Sequence, residues 1–122
     1  DFQSIANQFV DFYYKTFDEN RPALKALYRP HSMLTFEESP VQGADGIVEK
    51  LVNLPFQQVI HQVATKDAQP SAEDGIMVMV TGALQVDGQD KPMSYTQTFQ
   101  LKSDNGNWFV LNDIFRLVYP AS

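Results

Sequence analysis

Residues 108–119 (WFVLNDIFRLVY) constrain the fold more than any other stretch of this chain. The run is rich in aromatic and β-branched side chains and nothing helical follows it, which predicts a strand. Alternate residues of a strand point to opposite faces. Phe109, Leu111, Asp113, Phe115 and Leu117 then share one face, and Trp108, Val110, Asn112, Ile114, Arg116 and Val118 share the other. Both faces are largely apolar, whereas an antiparallel sheet commonly shows water one polar face. One face covers a core and the second needs a cover as well. With little helix available, a second copy of the chain is the expected cover.

Helical periodicity lies upstream. Phe2, Ile5, Ala6, Phe9, Tyr13 and Phe17 recur every three or four residues, an amphipathic helix with a heavily aromatic face that stops near Asp18, Glu19 and Asn20. Asn20 is placed to cap a short second helix, with Pro22 in its first turn, Leu24 and Leu27 along it and Pro30 at its end. Residues 32–37 read as a short strand. Gly43 and Gly46 punctuate a turn before a third helix through Ile47, Val48, Leu51 and Val52, closed by Pro55. Strands follow at about 57–67, 75–87, 93–103 and 107–119, with turns at 70–75, Asp87-Gly88 and Asn105-Gly106.

Helices in one block and strands in another indicate an α+β domain spanning 1–122. A long antiparallel sheet curling around its helices forms a cone with an apolar interior. In the strand over 93–101, Met93, Tyr95, Gln97, Phe99 and Leu101 share a side. The strand over 76–86 is apolar on both faces, like the last one. Met77, Val78, Met79 and Val80 are therefore expected at the dimer contact, as obligate contacts resemble a core cut in half. Ile114 and Arg116 on the last strand join them.

Composition narrows the chemistry. With 122 residues of which 43% are hydrophobic, the chain supports one core. Cysteine is absent, which excludes disulfides and thiolate chemistry and suits a reducing compartment. His31 and His61 lack metal-ligand spacing, so neither a metal nor any other cofactor is expected. A net charge of −6 argues against nucleic acid and is compatible with basic protein partners. No apolar run is long enough to span a bilayer, and no signal-peptide pattern opens the chain.

Five tracts carry a family resemblance: 12–18 (FYYKTFD), 33–37 (MLTFE), 46–51 (GIVEKL), 54–57 (LPFQ) and 112–116 (NDIFR). In this order and spacing they closely resemble the nuclear transport factor 2 family, over nearly the whole chain, and the composition is that of a fungal-like member. The resemblance implies a cone-shaped, cystatin-like roll: three N-terminal helices packed in a strongly curved antiparallel sheet, paired as a homodimer. It further implies a carrier that binds the GDP form of the GTPase Ran and the phenylalanine-glycine repeats of nucleoporins. Such a carrier returns Ran to the nucleus, working in cytoplasm and nucleus and concentrated at the pore.

The same resemblance assigns residues. An aromatic ring of Ran is expected to enter the mouth of the cone, lined by Phe36, Leu54, Val59, Met93 and Phe115. Glu37 is expected to meet a lysine of Ran, and Asp87 and Asp90 an arginine. His61, two residues beyond Val59, is a secondary member of this site, although a histidine on an apolar face is usually a hydrogen-bonded core residue. Phe2 corresponds to the aromatic that receives nucleoporin repeats. Read locally, Asp87-Gly88 is a plain hairpin turn and the pocket residues are plain core. Asp113, on the face of Phe115, needs hydrogen-bond donors or a raised pKa if buried. Enzymes share this architecture, so a small-molecule isomerase or dehydratase built on Asp113, His61, Tyr14 and Tyr95 is an alternative; a non-catalytic dimeric scaffold domain is another.

Overall fold

The computed structural model describes residues 1–120. The first helix, α1 (Phe2–Glu19), is capped by Asp1, whose side chain accepts the Gln3 amide. Its buried face carries Ala6, Phe9, Val10, Tyr13, Tyr14 and Phe17, close to the expected stripe. Phe2 stands outside that stripe, exposed on the first turn. The second helix is a 3₁₀ segment (Arg21–Leu27) with Pro22 near its start. Asn20 precedes it but its side chain makes no capping bond. The segment ends at Leu27 and not at Pro30, which lies inside β1 (Tyr28–Phe36). A strand tolerates this proline because β1 is bulged there: its pairing jumps from Tyr28 to Met33 while its neighbour advances from Val110 to Asn112.

A two-residue turn then leads into β2 (Ser39–Gln42), a strand that the sequence pattern does not reveal. Helix α2 (Ala44–Val52) buries Ile47 and Leu51. Four long strands complete the chain: β3 (Val59–Ser71), β4 (Gly75–Val86), β5 (Met93–Asp104) and β6 (Asn107–Leu117). They form one six-stranded sheet in the order β2-β1-β6-β5-β4-β3. All pairings are antiparallel as expected except one: β1 runs parallel to β6. Residues 37–106, which carry β2, α2 and the strands β3 to β5, form the long connection that a parallel pair requires.

The core lies between α1 and the concave face of this sheet. Along β5, Tyr95, Gln97, Phe99 and Leu101 are buried and their neighbours are not, the expected alternation. Along β6 the alternation changes phase. Leu111 is an extra residue, because Leu101 pairs with Val110 and Gln100 with Asn112. A bulge of this kind sends the residues on either side to opposite faces relative to a regular strand. Val110 consequently joins the core with Asp113 and Phe115, whereas Phe109 packs outside it under the guanidinium of Arg29. The uninterrupted alternation expected for 108–119 is thus corrected at Leu111. A third bulge, in β3 between Val63 and Thr65, brings that strand against Gly82. A Cβ at Gly82 would lie 2.3 Å from the Gln62 carbonyl oxygen, so only glycine fits.

The convex face carries the other apolar set. Met77, Met79 and Ile114 are 48%, 45% and 52% exposed, on the same face as Asn112, Thr98 and Gln100, where Met77 and Ile114 edge a shallow groove with Met33. Val78 and Val80, expected beside the methionines, are instead fully buried in the core. The reason is the pleat: successive residues of β4 cannot share a face.

Candidate functional site

At the mouth of the cone, three segments converge. The end of β1 contributes Phe36, the end of β6 contributes Phe115, and the loop between α2 and β3 contributes Phe56. With Val59, His61 and Phe17 they line a small interior cavity. Phe36 and Phe115 lie face to face, ring centroids 4.6 Å apart and planes nearly parallel. Parallel pairing of β1 and β6 sets this stack, because it places Phe36 directly beside Phe115. The cavity has a free volume of about 10 Å³, room for one water at most.

Of the lining residues expected from sequence, Phe36, Val59, Phe115 and His61 come together here. Leu54 and Met93 do not reach the cavity. Both are half-buried against the core; Leu54 borders an outer groove beside Phe56 and Asn53, and Met93 pairs with Leu84 across β4 and β5. Phe56 was missed, although the tract 54–57 contains it. Side-chain direction in an irregular loop has no periodic signature, so the choice between Leu54 and Phe56 was not readable.

His61 is held, not loose. Its Nδ1 lies 2.7 Å from Asp18 Oδ1, and its backbone amide donates to Asp18 Oδ2 at 2.9 Å. The imidazole stacks on Tyr14 with centroids 4.5 Å apart and meets Phe17 edge-on. Asp18 therefore orients the ring from the last turn of α1.

Two carboxylates border the mouth. Glu37 sits in the β1–β2 turn; its amide donates to the Phe115 carbonyl and its carboxylate accepts the Leu117 amide. Glu37 is thereby fixed beside β6. Glu38 follows, with Oε1 3.9 Å from Arg116. Asp87, in the β4–β5 turn, accepts the amides of Gln57 and Gln58, next to Phe56, through Oδ1, at 3.0 and 2.9 Å. Asp87 is exposed, and among the described residues its Oδ2 makes no hydrogen bond. Asp90 stands exposed farther along that turn.

Behind the cavity lies a buried polar cluster. Asp113 is 1% exposed. Its Oδ2 accepts the hydroxyls of Tyr28 at 2.8 Å and Tyr13 at 3.3 Å, and its Oδ1 accepts the Gln97 amide at 2.8 Å. Tyr14 donates in turn to Gln97 Oε1 at 2.7 Å. Burial raises the Asp113 carboxyl to about 6, and its three donors oppose that rise. Desolvation and the nearby carboxylate push the hydroxyls of Tyr13 and Tyr28 well above their ordinary range. The cluster contains an acid and several hydroxyls, and every hydrogen bond described for Asp113 goes to a side chain of the cluster.

The remaining expected residues lie on other surfaces. Phe2 is on the outside of α1, and Met77, Met79, Ile114 and Arg116 are on the convex sheet face.

Comparison with known proteins adds the following. The model of the Nuclear transport factor 2 (NTF2) domain matches residues 5–117. A protein of Emericella nidulans named Nuclear transport factor 2 is 67% identical over 123 residues, covering 99% of this chain and 98% of its own. A namesake from Davidiella tassiana is 61% identical and covers 100% of this chain and 98% of its own. The structure of nuclear transport factor 2 from Cryptosporidium parvum superposes with a TM-score of 0.91 at 45% identity, over 96% of this chain and 94% of that one.

Proposed function

Because this chain belongs to the nuclear transport factor 2 family, a nuclear transport carrier and not an enzyme, we propose that its cargo is the GDP form of Ran and that it crosses the pore on phenylalanine-glycine repeats. One observation supports the cargo site above all others. Aromatic walls (Phe36, Phe56 and Phe115) close the mouth of the cone, with Glu37 held beside the Phe115 strand and Asp87 beside the loop that carries Phe56. This is a receptor for an apolar ring flanked by cations. Burying one phenylalanine side chain contributes roughly 1.5–3 kcal/mol. The flanking pairs add less, as exposed ion pairs are worth about 0–1 kcal/mol each, but they steer encounter and reject wrong partners.

Of the expected contacts, Phe36, Val59, Phe115, His61, Glu37 and Asp87 belong to this mouth. Asp90, Leu54 and Met93 border it at greater remove. A cavity of about 10 Å³ does not hold a phenyl ring, so the ring enters by displacing Phe36. Phe2, exposed on α1, is assigned to the repeat-binding surface. The convex face bearing Met77, Met79 and Ile114 is assigned to the homodimer. The carrier moves between cytoplasm and nucleus, and repeat binding would concentrate it at the pore.

The interior agrees with a carrier. Of the four groups named for an isomerase or dehydratase, Asp113, His61 and Tyr14 are tied to internal partners, and among the described residues the buried Tyr95 hydroxyl has none. Isothermal titration with Ran loaded with GDP, and separately with a GTP analogue, tests the reading. Micromolar or tighter binding to the GDP form alone is expected, and Glu37→Lys should weaken it at least tenfold. In the same apparatus Phe2→Ala should weaken binding of a repeat peptide and leave Ran unaffected. A folded protein that binds neither nucleotide form would sink the Ran assignment.

A further inference from the structure

The loop between α2 and β3 forms one wall of the mouth, yet it has no regular structure of its own. Within residues 53–58 the backbone makes few hydrogen bonds to itself. Side chains from elsewhere replace them. Arg21, the first residue of the 3₁₀ segment, donates from Nη1 to the carbonyls of Leu51 at 3.0 Å and Phe56 at 3.4 Å, and from Nη2 to that of Gln57 at 3.0 Å. Its guanidinium carbon lies 5.1 Å from the Phe17 ring and 5.3 Å from the Phe56 ring. Asp87 takes the amides of Gln57 and Gln58. The carbonyls of the loop are thus held by a cation and its amides by an anion.

We infer that Arg21 is a positioning residue for the cargo site: it clamps the 53–58 loop and so fixes Phe56 as the wall against which the inserted ring packs. This rests on the cargo reading given above. Three carbonyls from two turns of chain require a planar fork with donors in fixed directions, which arginine has and lysine lacks. The same guanidinium lies against two aromatic rings, one on α1 and one on the loop, so it sets the spacing between them. Among the described residues its Nε is buried without a partner. Burial lowers the guanidinium from its ordinary value, while Asp18 and Asp87 favour the charged form. Placement of a buried donor without an acceptor has a free-energy cost; the geometry that incurs it is the geometry that holds the loop.

The clamp separates loop order from general stability, and that separation is measurable. Arg21→Lys keeps the charge and loses the fork; Arg21→Met keeps the stem between the rings and loses both. Amide hydrogen exchange in the protein without cargo should rise at least tenfold at Gln57 and Gln58 in both variants. Amides of β4 and β5 should be unchanged. Affinity for Ran-GDP should fall about tenfold or more, with repeat-peptide binding as in wild type. Unchanged exchange at Gln57 and Gln58 overturns the clamp, as does equal loosening of α1 and the sheet. Faster loop exchange with undiminished Ran affinity shows that the clamp does not serve the site and overturns the inference too. If wild type itself fails to bind Ran-GDP, the cargo reading falls, and exchange alone then decides whether Arg21 positions the wall.

Discussion

At neutral pH Asp113 holds a negative charge with water excluded, compensated by donors from α1, β1 and β5. Burial raises its pKa from 3.8 to about 6. The folded state therefore binds this proton more tightly than the unfolded chain. The stability this gives is fully present below the unfolded value and is lost as pH rises through 6. A shift of about two units corresponds to about 3 kcal/mol. Asp113→Asn removes the titration. In urea unfolding at one fixed protein concentration, wild-type stability minus that of the variant should decline between pH 4.5 and 7.5. Parallel profiles would show that Asp113 ionises normally. Its burial was legible from the apolar company it keeps on β6. Its partners were not, because Tyr13, Tyr28 and Gln97 come from positions that only the folded topology brings together. Arg21 was equally silent: an arginine after a helix is usually solvated, and nothing in the residues around it marks three carbonyl acceptors.

Among the elements, the β1–β2 turn is built against local preference. Glu37 and Glu38 have φ of 50° and 82°, the positive pair that two-residue hairpins require and that Asn-Gly usually supplies. Glu37 is offset by its bonds to β6, but Glu38 has only a distant pairing with Arg116. Glu38→Gly should therefore raise stability by about 0.5–1 kcal/mol, seen as a higher urea midpoint with an unchanged slope; a lower midpoint would mean the turn is not strained. This chemistry also explains why β2 was unreadable. A turn of two glutamates followed by Ser-Pro carries no hairpin signal, so the strand exists because β1 offers it an edge. By contrast α1, α2 and the last four strands were legible within a few residues, since their periodic patterns extend over nine residues or more. Bulges escaped notice for the opposite reason. One extra residue in an apolar run such as 108–111 changes which face a side chain takes without changing the composition of the run.

For the molecule as a whole, the exposed methionines and Ile114 define the surface to be covered. Glutamate at both Met77 and Ile114 should convert a dimer to a monomer in sedimentation equilibrium while leaving the core intact, because neither side chain contributes to it. A double variant that still sediments as a dimer would move the interface elsewhere. The sheet order has a consequence of a different kind. β6 lies between β1 and β5, so the two halves of the sheet share no strand until residues 107–117 exist. A nascent chain that has emerged from the ribosome as far as β5 holds α1 above an incomplete saddle, with Tyr13, Tyr28 and Gln97 facing a gap where Asp113 belongs. Translation must therefore pass almost the last tenth of these residues before the core can close. A premature stop ahead of that point leaves a sheet in two parts, linked only by the intervening chain and by α1, for the cell's quality control, and no partly working carrier.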